Sequence, residues 1–583
     1  VHAVLSPGPG GEPELTRPAA ALTGVAPARS VSLGPDLPAA VAGVEAAEHP
    51  RWTWDDTNTW YPGLLVAGVR VRRAHDLRLA HRILRASTLS AGSALATAPP
   101  GPWDAAPVPV DPGVPLGTLR RPQAESLFDD DPVPGAVPVP AAAGLPDPVA
   151  ELAAQQTAVE GAAAPGRLRL LLAAESAGAL VAAEMRHAGL PWRADLHDQI
   201  LTGILGPRPP EGARPARLEE LVGQVRAALD APPTLNPDSH PDLLRAMEYA
   251  GVGARSLRKG ELERLDHPVV APLLEYKNLY RLWTANGWHW LDRWVSNGRF
   301  RTDYVVGGVV TGRWSSTGGG ALQLPKAVRR AAQADPGWVL VVADAAQLEP
   351  RVLTAMARDE AMAAAGQDGD LYAGIVASGA VESREHAKVG MLGAMYGGTT
   401  GVSGVVLPRL TRAFPRAMGL VEDAALTGER GGVVTTWLGR SSPPPGRAWE
   451  AAQSGALDDG AEQDAATAAR SSARSWGRFT RNFVVQGTAA EWALCWLASI
   501  RRRLWELGTS PTTGLGPAPF ADRPHLAFFL HDEVVVHAPA HLADDVARVV
   551  REAADEAGRL LFGDFPVVFP LTVATVDSYA DAK

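Results

Sequence analysis

The chain has 583 residues, 46% apolar and 20% charged, enough for about three or four globular domains with a large core. Its single cysteine, Cys495, excludes an internal disulfide framework and fits a reducing compartment. A net charge of −9 does not advertise a nucleic-acid binder, but such binding depends on local patches, so that class stays open.

No run of about 18 apolar residues appears, so no membrane-spanning helix is expected. The amino end lacks the basic-then-apolar pattern of a secretory signal, and it opens on Val1 rather than Met, which leaves the natural start open. Residues 1–95 mix Pro/Gly-rich loops with one helical pattern through Asp76, Leu77, Leu79, Ala80, Ile83 and Leu84. Residues 98–165 are rich in Pro, Ala and Gly and hold the acidic cluster Asp129 to Asp131, which reads as a linker or surface segment. A long amphipathic helix is predicted over 168–188, and helices continue to about Val295, one of them carrying Tyr276, Leu279 and Leu282 on one face. Residues 299–310 look like strand, and Gly318 to Gly320 like a loop. In WVLVVADAAQLEPR (338–351) an apolar strand, Val339 to Ala343, ends on Asp344. Residues 359–397 are mainly helical with a break at 366–369, 398–446 alternate loops and short helices, and 488–507 form a long helix. In AFFLHDEVVVHAP (527–539), two apolar runs flank His531, Asp532 and Glu533, which reads as a β-hairpin with acids at its tip. A helix over 544–561 and a strand over 571–576 close the chain. Acid-bearing strands interrupted by a large helical insertion argue for an α+β palm with helical attachments.

One carboxylate at each of two strand ends is what a two-metal phosphoryl-transfer site requires. The bland alternative for the hairpin is a polar turn, since turns favour Asp. Arg384, Lys388, Leu392 and Tyr396 are four apart, so on a helix they form one slowly drifting stripe about 18 Å long. It is cationic at one end, apolar and aromatic at the other, which suits a nucleoside triphosphate. An ordinary surface pair above a core-facing Leu and Tyr would look the same in isolation. Gly393 and Gly397, poor helix-interior residues, are read as making room for close approach. Only five of the 55 basic residues are Lys (Lys259, Lys277, Lys326, Lys388 and Lys583), so composition alone does not put Lys388 there.

TGRWSS (311–316), DAAQLEPRVL (344–353), REHAKVGMLGAMYG (384–397), RNFVVQGTAAE (481–491) and LHDEVVV (530–536) follow one another in an order and spacing that resemble the polymerase motifs of family A, the DNA polymerase I type. GVVTTWLGR (432–440) is similar to a further segment of the family's fingers. The resemblance covers about residues 166 to 583. It implies a right-hand fold of palm, fingers and thumb, with boundaries at 166–298 (thumb), 299–355 (first part of the palm), 356–480 (fingers) and 481–583 (second part). It implies two Mg2+ ions, replaceable by Mn2+, on Asp344, Asp532 and the backbone carbonyl of Ala345. Glu533 matches a supporting acid, and His531 a residue near the primer end. Arg384 and Lys388 match the triphosphate-holding pair, with Lys388 also facing the departing pyrophosphate. Glu349 resembles the steric gate against a ribose 2′-hydroxyl, and Tyr396 the residue supporting that gate. Gln347, Leu392 and Tyr372 fall on the nucleotide side. Arg313, Asn482 and Gln486 match contacts to primer–template DNA, largely independent of sequence. The partners implied are primer–template DNA and deoxynucleotides, for a monomer in the cytoplasm near the nucleoid, with no membrane.

There are departures from the family pattern. Ala345 and Ala346 stand for Tyr-Ser, and Pro350 for Leu. Met391-Leu392 stand for Asn-Phe, and Tyr372 for a triphosphate-contacting His. Residues 52–84 resemble the middle of a 3′–5′ exonuclease domain, with Asp76 matching one acid. Residues 1–50 hold no Asp-x-Glu, however, and Tyr61 stands where another acid belongs. A degenerate α/β exonuclease-like (RNase H-like) scaffold is therefore expected over 1–100, followed by a linker over 101–165. The short length resembles actinobacterial members described as bifunctional 3′–5′ exonuclease/DNA polymerases and leaves no room for a 5′-nuclease domain. The expected activity is template-directed DNA synthesis without proofreading, in repair or gap filling. The alternative is a catalytically weak primer–template binding protein that keeps the fold.

Overall fold

The computed structural model describes residues 1–8, 12–18, 29–105, 147–398, 401–456 and 463–582. Asp129 to Asp131 lie outside these. The chain divides into two compact units. The larger holds residues 1–188, 304–315 and 341–574, and the smaller 189–303, 316–340 and 575–583.

The larger unit opens with strands β1 (His2–Pro7), β2 (Pro13–Arg17), β3 (Arg29–Ser32), β4 (Arg51–Trp54) and β5 (Arg73–Asp76), ordered β3-β2-β1-β4-β5. The first three pair antiparallel, while β4 runs parallel to β1 and β5 to β4. Helices α1 (Leu37–Glu48), α2 (Thr57–Val66) and α3 (Leu77–Ala86) lie between and after these strands. Trp52 and Trp54 of β4 are fully buried in this domain's core with Tyr61, Leu64 and Leu65. Only α3 was legible beforehand.

Two boundaries differ from expectation. The 101–165 stretch is not linker throughout: Pro148–Glu160 forms a helix, α4, started by Asp147 as N-cap and Pro148 at its first turn. It buries Leu152 and Val159 and packs on α3. The helix α5 (Pro165–Ala188), expected to begin the thumb, instead packs on α2 and β5 inside the larger unit.

The same unit then contains most of β6 (Trp338–Ala345), with α6 (Leu348–Ala357), α7 (Leu371–Ala377), α8 (Arg384–Tyr396), α9 (Val402–Ala413) and α10 (Pro415–Glu429). After these come α11 (Gln463–Glu506), the hairpin β7 (His525–Leu530) and β8 (Glu533–Pro539), α12 (Ala543–Phe562) and β9 (Leu571–Val576). The four strands form one sheet, ordered β7-β8-β6-β9. Every residue of β7 and β8 is buried, which explains their unbroken apolar runs. Helix α11 begins 25 residues before the predicted 488 and packs on α10, α12 and α5. It is the one helix among the described residues long and apolar enough to cross a membrane, but 89% of its apolar window is buried inside the protein, as in a core helix.

In the smaller unit, helices Ala194–Leu205, Ala216–Ala228, His240–Tyr249 and Val270–Asn286 surround a core that includes Val225, Leu243, Met247 and Leu273. Tyr276 and Leu282 are buried as the stripe predicted. Arg299–Phe300 is the centre of a three-stranded ribbon with Leu190–Pro191 and Val295–Ser296, and Arg299 makes a buried ion pair with Asp335 (2.5 Å). The long strand predicted over 299–310 is two short ones, Arg299–Phe300 and Asp303–Val305. Gly307, with φ near +60°, turns the chain where that strand would have continued.

Candidate active site

The β7–β8 hairpin pairs Leu530 with Glu533, so His531 and Asp532 form a two-residue tip. His531 has φ +59°, the left-handed value such tight turns demand. The amide of Ala345 donates to the carbonyl of Asp532 (3.0 Å). That bond ties the end of β6 to the hairpin tip and brings the backbones of Asp344 and Asp532 side by side. Both side chains are half-buried, after strands whose preceding residues are buried. Glu533 differs: it is 2% exposed, so its carboxylate does not meet solvent as that of Asp532 does. Among the described residues, no group of three or more His, Cys, Asp or Glu side chains converges for an ion. Two carboxylates nonetheless fit Mg2+, which is commonly held by one or two carboxylates plus substrate phosphate oxygens and water.

After Asp344, Gln347 turns the chain into α6 with φ +56°. Arg351, on the next turn, is buried and donates to the carbonyls of Ala346 (3.2 Å), Gly366 (3.0 Å), Gly369 (2.6 Å) and Val568 (3.1 Å). Burial lowers its pKa to about 10, against the pull of Asp370 and Tyr372, so it stays charged at neutral pH. It received no role beforehand, because a lone Arg on a helix carries no pattern.

Glu349, in the first turn of α6, accepts from the hydroxyl of Tyr396 (2.6 Å) and pairs with Arg313. Burial, then the Glu349 carboxylate, push the Tyr396 phenol well above its ordinary range, so it remains a donor. Gln486 of α11 lies against the same hydroxyl. His531 faces this cluster too. Its side chain reaches the surface at one edge, yet burial of the ring, then Arg313, hold its pKa below the ordinary imidazole value. Arg313, Glu349, Tyr396, Gln486 and His531 are thus gathered. Asn482, one turn earlier on α11, is buried.

Helix α8 starts at the N-cap Ser383, whose hydroxyl accepts from the amide of His386 (3.1 Å), and ends on Gly397 with φ +77°. Its stripe is as expected. Arg384 and Lys388 are exposed, Leu392 is 37% exposed and Tyr396 is half-buried, while Ala387, Gly390, Met391 and Ala394 face the core. Lys388 makes no ion pair among the described residues. The glycines have other reasons than a ligand. A Cβ on Gly393 would meet Ser403 Oγ at 2.7 Å, so close approach of α9 requires it, and Gly397 is a left-handed helix cap. Tyr372 also departs from expectation. Its ring is 6% exposed and packed in the core beside Ile375, with the Arg384 guanidinium 5.6 Å above it, so it meets the site through that Arg. Gln347, expected on the nucleotide, spends its side chain on Asp370 (2.7 Å) and the amide of Leu371 (2.8 Å).

Glu491 of α11 was quoted only within a motif. It is buried and accepts from the Thr436 hydroxyl and the Leu438 amide (2.9 Å), pinning the 432–440 segment to α11. Burial raises its pKa to about 7, outweighing those hydrogen bonds.

In the amino-terminal domain, Asp76 is 2% exposed and spends both oxygens locally, on the amide and hydroxyl of Thr57 (2.7 Å each) and the amide of Leu79 (3.0 Å). Burial, then Asp56, raise its pKa to about 7. Tyr61 donates to the buried Glu184 (2.5 Å), which Arg501 of α11 grips at 2.6 and 3.0 Å.

The family described as "DNA polymerase family A" matches residues 244–579. The thermostable DNA polymerase I of Thermus filiformis is 27% identical over 354 residues, covering 55% of this chain and 37% of that protein. The DNA polymerase I of Chloroflexus aurantiacus is 28% identical over 355 residues, 55% of this chain and 33% of that protein. The match therefore spans about a third of the length of these curated relatives. Among solved structures, the "POL domain of Pol1 from M. smegmatis complex with DNA primer-template and dNTP" superposes with a TM-score of 0.62 at 18% identity, over 95% of this chain and 91% of that one, which shows a shared fold. With the family's match extending over more than half of its residues, and with a mixed α+β polymerase fold, this chain belongs to DNA polymerase family A.

Proposed function

We propose that the protein is a DNA-directed DNA polymerase that joins deoxynucleotides to a primer 3′-hydroxyl on a template, with Mg2+ as cofactor. The observation that carries this reading is the hydrogen bond from Ala345 to Asp532, which sets two half-open aspartates at adjoining strand ends. Asp344, Asp532 and the Ala345 carbonyl would hold the metal. Of two ions bound there, one would lower the pKa of the primer hydroxyl and the other would neutralise the departing pyrophosphate. Arg384 and Lys388 bind the triphosphate, and Lys388 stabilises charge on its leaving end. Leu392 and Tyr396 face sugar and base. Glu349, held by Tyr396 and Arg313, stands over the 2′ position. Arg313, Gln486 and His531 orient the primer end, and Glu533 supports the hairpin from inside.

Proofreading is absent in this reading. Asp76 is consumed as a helix cap and Tyr61 as a partner of Glu184, so neither offers a free carboxylate to a metal. The setting is gap filling or repair in the cytoplasm, by a monomer. Primer extension with Mg2+ tests the proposal. Asp344→Ala and Asp532→Ala should each fall below about one per cent of the wild-type rate while duplex affinity holds, since only a metal ligand is lost. Extension by either variant at more than about one per cent of the wild-type rate would overturn the two-metal assignment. Wild-type protein that binds primer–template tightly but never extends it would favour the binding-protein alternative.

A further inference from the structure

We infer that Asp370 is a positioning residue for nucleotide binding: it holds Arg384 by one edge so that the guanidinium's two terminal amino groups face the triphosphate. The inference rests on the polymerase reading and adds to it two residues, Asp370 and Gln347, acting through Arg384.

Asp370 is the N-cap of α7. Its two oxygens have separate tasks. Oδ1 accepts from the amides of Tyr372 (3.0 Å) and Ala373 (3.2 Å) and from Gln347 Nε2 (2.7 Å). Oδ2 accepts from Arg384 Nε (2.7 Å). The bond uses only Nε. The face of the guanidinium lies over the Tyr372 ring at 5.6 Å. No other partner for Arg384 occurs among the described residues, so both Nη groups remain for a ligand. Arg384 is 59% exposed, and the bond at Nε together with the Tyr372 ring beside it favours one orientation of the guanidinium before the substrate arrives. An Arg side chain otherwise loses up to about 2 kcal/mol of rotamer freedom on ordering.

The clamp is also registered to the metal-binding strand. Gln347, three residues after Asp344, is fixed at both ends of its amide. Nε2 donates to Asp370, and Oε1 accepts from the Leu371 amide (2.8 Å) and from Arg351 (3.3 Å). Arg351 in turn fixes the carbonyls of Gly366 and Gly369 just before Asp370. The path from β6 to Arg384 therefore runs through side chains with no slack. Burial would raise the Asp370 pKa, but Arg384 and Gln347 hold it down at about 2, so the anchor stays ionised across the working pH range. Tyr372 stands where the family has a triphosphate-contacting His. Here the aromatic group supports the arginine rather than touching the phosphate.

Asp370→Asn is the informative variant. Asparagine caps helices as well as aspartate. It has only one acceptor oxygen, however, so it cannot serve both the α7 amides and Arg384. Steady-state extension on a fixed primer–template should show the nucleotide KM rising about tenfold, which is about 1.4 kcal/mol of binding. kcat, duplex affinity and thermal stability should stay near wild type. In an Arg384→Ala background the same substitution should add almost nothing, because the residue it positions is gone. A KM rise of equal size in both backgrounds would overturn the inference, and so would a fall in KM, which would make Asp370 a competitor of the triphosphate. These outcomes are read only where the wild type extends primers. A wild type without activity fails the proposed function itself, a distinct result.

Discussion

The bond from Tyr396 to Glu349 joins α8 to the first turn of α6, just after β6, and it can be weighed. Tyr396→Phe removes one hydroxyl and leaves the ring. The lost bond has an ionised acceptor, a class worth about 1.5–3 kcal/mol. Arg313, one-third exposed at 34%, still neutralises Glu349 in the variant, so the lower end applies. We expect a loss of about 1.5 kcal/mol in urea unfolding. Glu349→Ala removes the same bond together with the Arg313 pair, which solvent partly replaces, for a loss of about 2–3 kcal/mol. The double variant should then be less unstable than the sum by about 1–1.5 kcal/mol, the coupling between two groups in direct contact. The functional readout runs in parallel. A carboxylate no longer held over the 2′ position should discriminate less, so ribonucleotide use should rise modestly in Tyr396→Phe and strongly in Glu349→Ala. Additive stabilities within about 0.3 kcal/mol, together with unchanged sugar selectivity, would refute both the bond and the gate.

Leu392→Phe should lower the apparent nucleotide KM three- to tenfold, since a flat ring at this exposed position adds about 0.5–1.5 kcal/mol of contact, and superimposed titrations would show that Leu392 never meets the nucleotide. A mismatched primer 3′ end should survive incubation with Mg2+ or Mn2+. Digestion that persists in Asp344→Ala but vanishes in Asp76→Ala would establish a working exonuclease site. Glu491 predicts a pH effect with a definite sign. Its folded pKa of about 7 lies above the ordinary 4.5, so between these values the folded state holds a proton the unfolded chain lacks. Stability should therefore fall as pH rises from about 4.5 to 7, by on the order of 3 kcal/mol. Glu491→Gln, neutral throughout, should flatten that part of the profile in denaturant titrations at pH 5, 6, 7 and 8. An unchanged slope would mean that Glu491 is ionised in the fold.

The strands that carry the site were legible because they are buried on all sides. Val339 to Ala343, Leu526 to Leu530 and Val534 to Val536 are apolar without interruption, so the acids beside them stand out. The sheet at the amino end was not legible, because RWTW and RAHD are four residues each and mix charge with aromatics, too short for any period to show. The first 25 residues of α11 were missed for another reason. Gly477 sits inside them, and a glycine there argues against a helix. A Cβ at that position would meet Glu429 Cγ at 2.6 Å, so close packing on α10 selects the glycine and overrides its poor propensity. The stripe on α8 was visible because it repeats every four residues. The Gln347–Asp370–Arg384 path was not, because polar side chains meeting across 23 and then 14 residues leave no periodic trace.

In the amino-terminal domain the buried polar side chains are spent on holding the fold together. Asp76, the N-cap of α3, accepts on Oδ2 from the amide and hydroxyl of Thr57 and on Oδ1 from the amide of Leu79. Tyr61, a phenol that burial and Glu184 keep protonated, donates to that Glu184 carboxylate. Glu184 is held ionised against its burial by Arg501 and Arg70. Arg501 also donates to the carbonyls of Val71 and Arg72, in the loop before β5, and it sits on α11, the helix that carries Gln486 and Glu491. Removing Glu184 strands two buried arginines, at a typical cost of about 3–5 kcal/mol, whereas removing Arg501 leaves Glu184 with Arg70 at 3.1 Å. These contacts fasten the five-stranded sheet to α11.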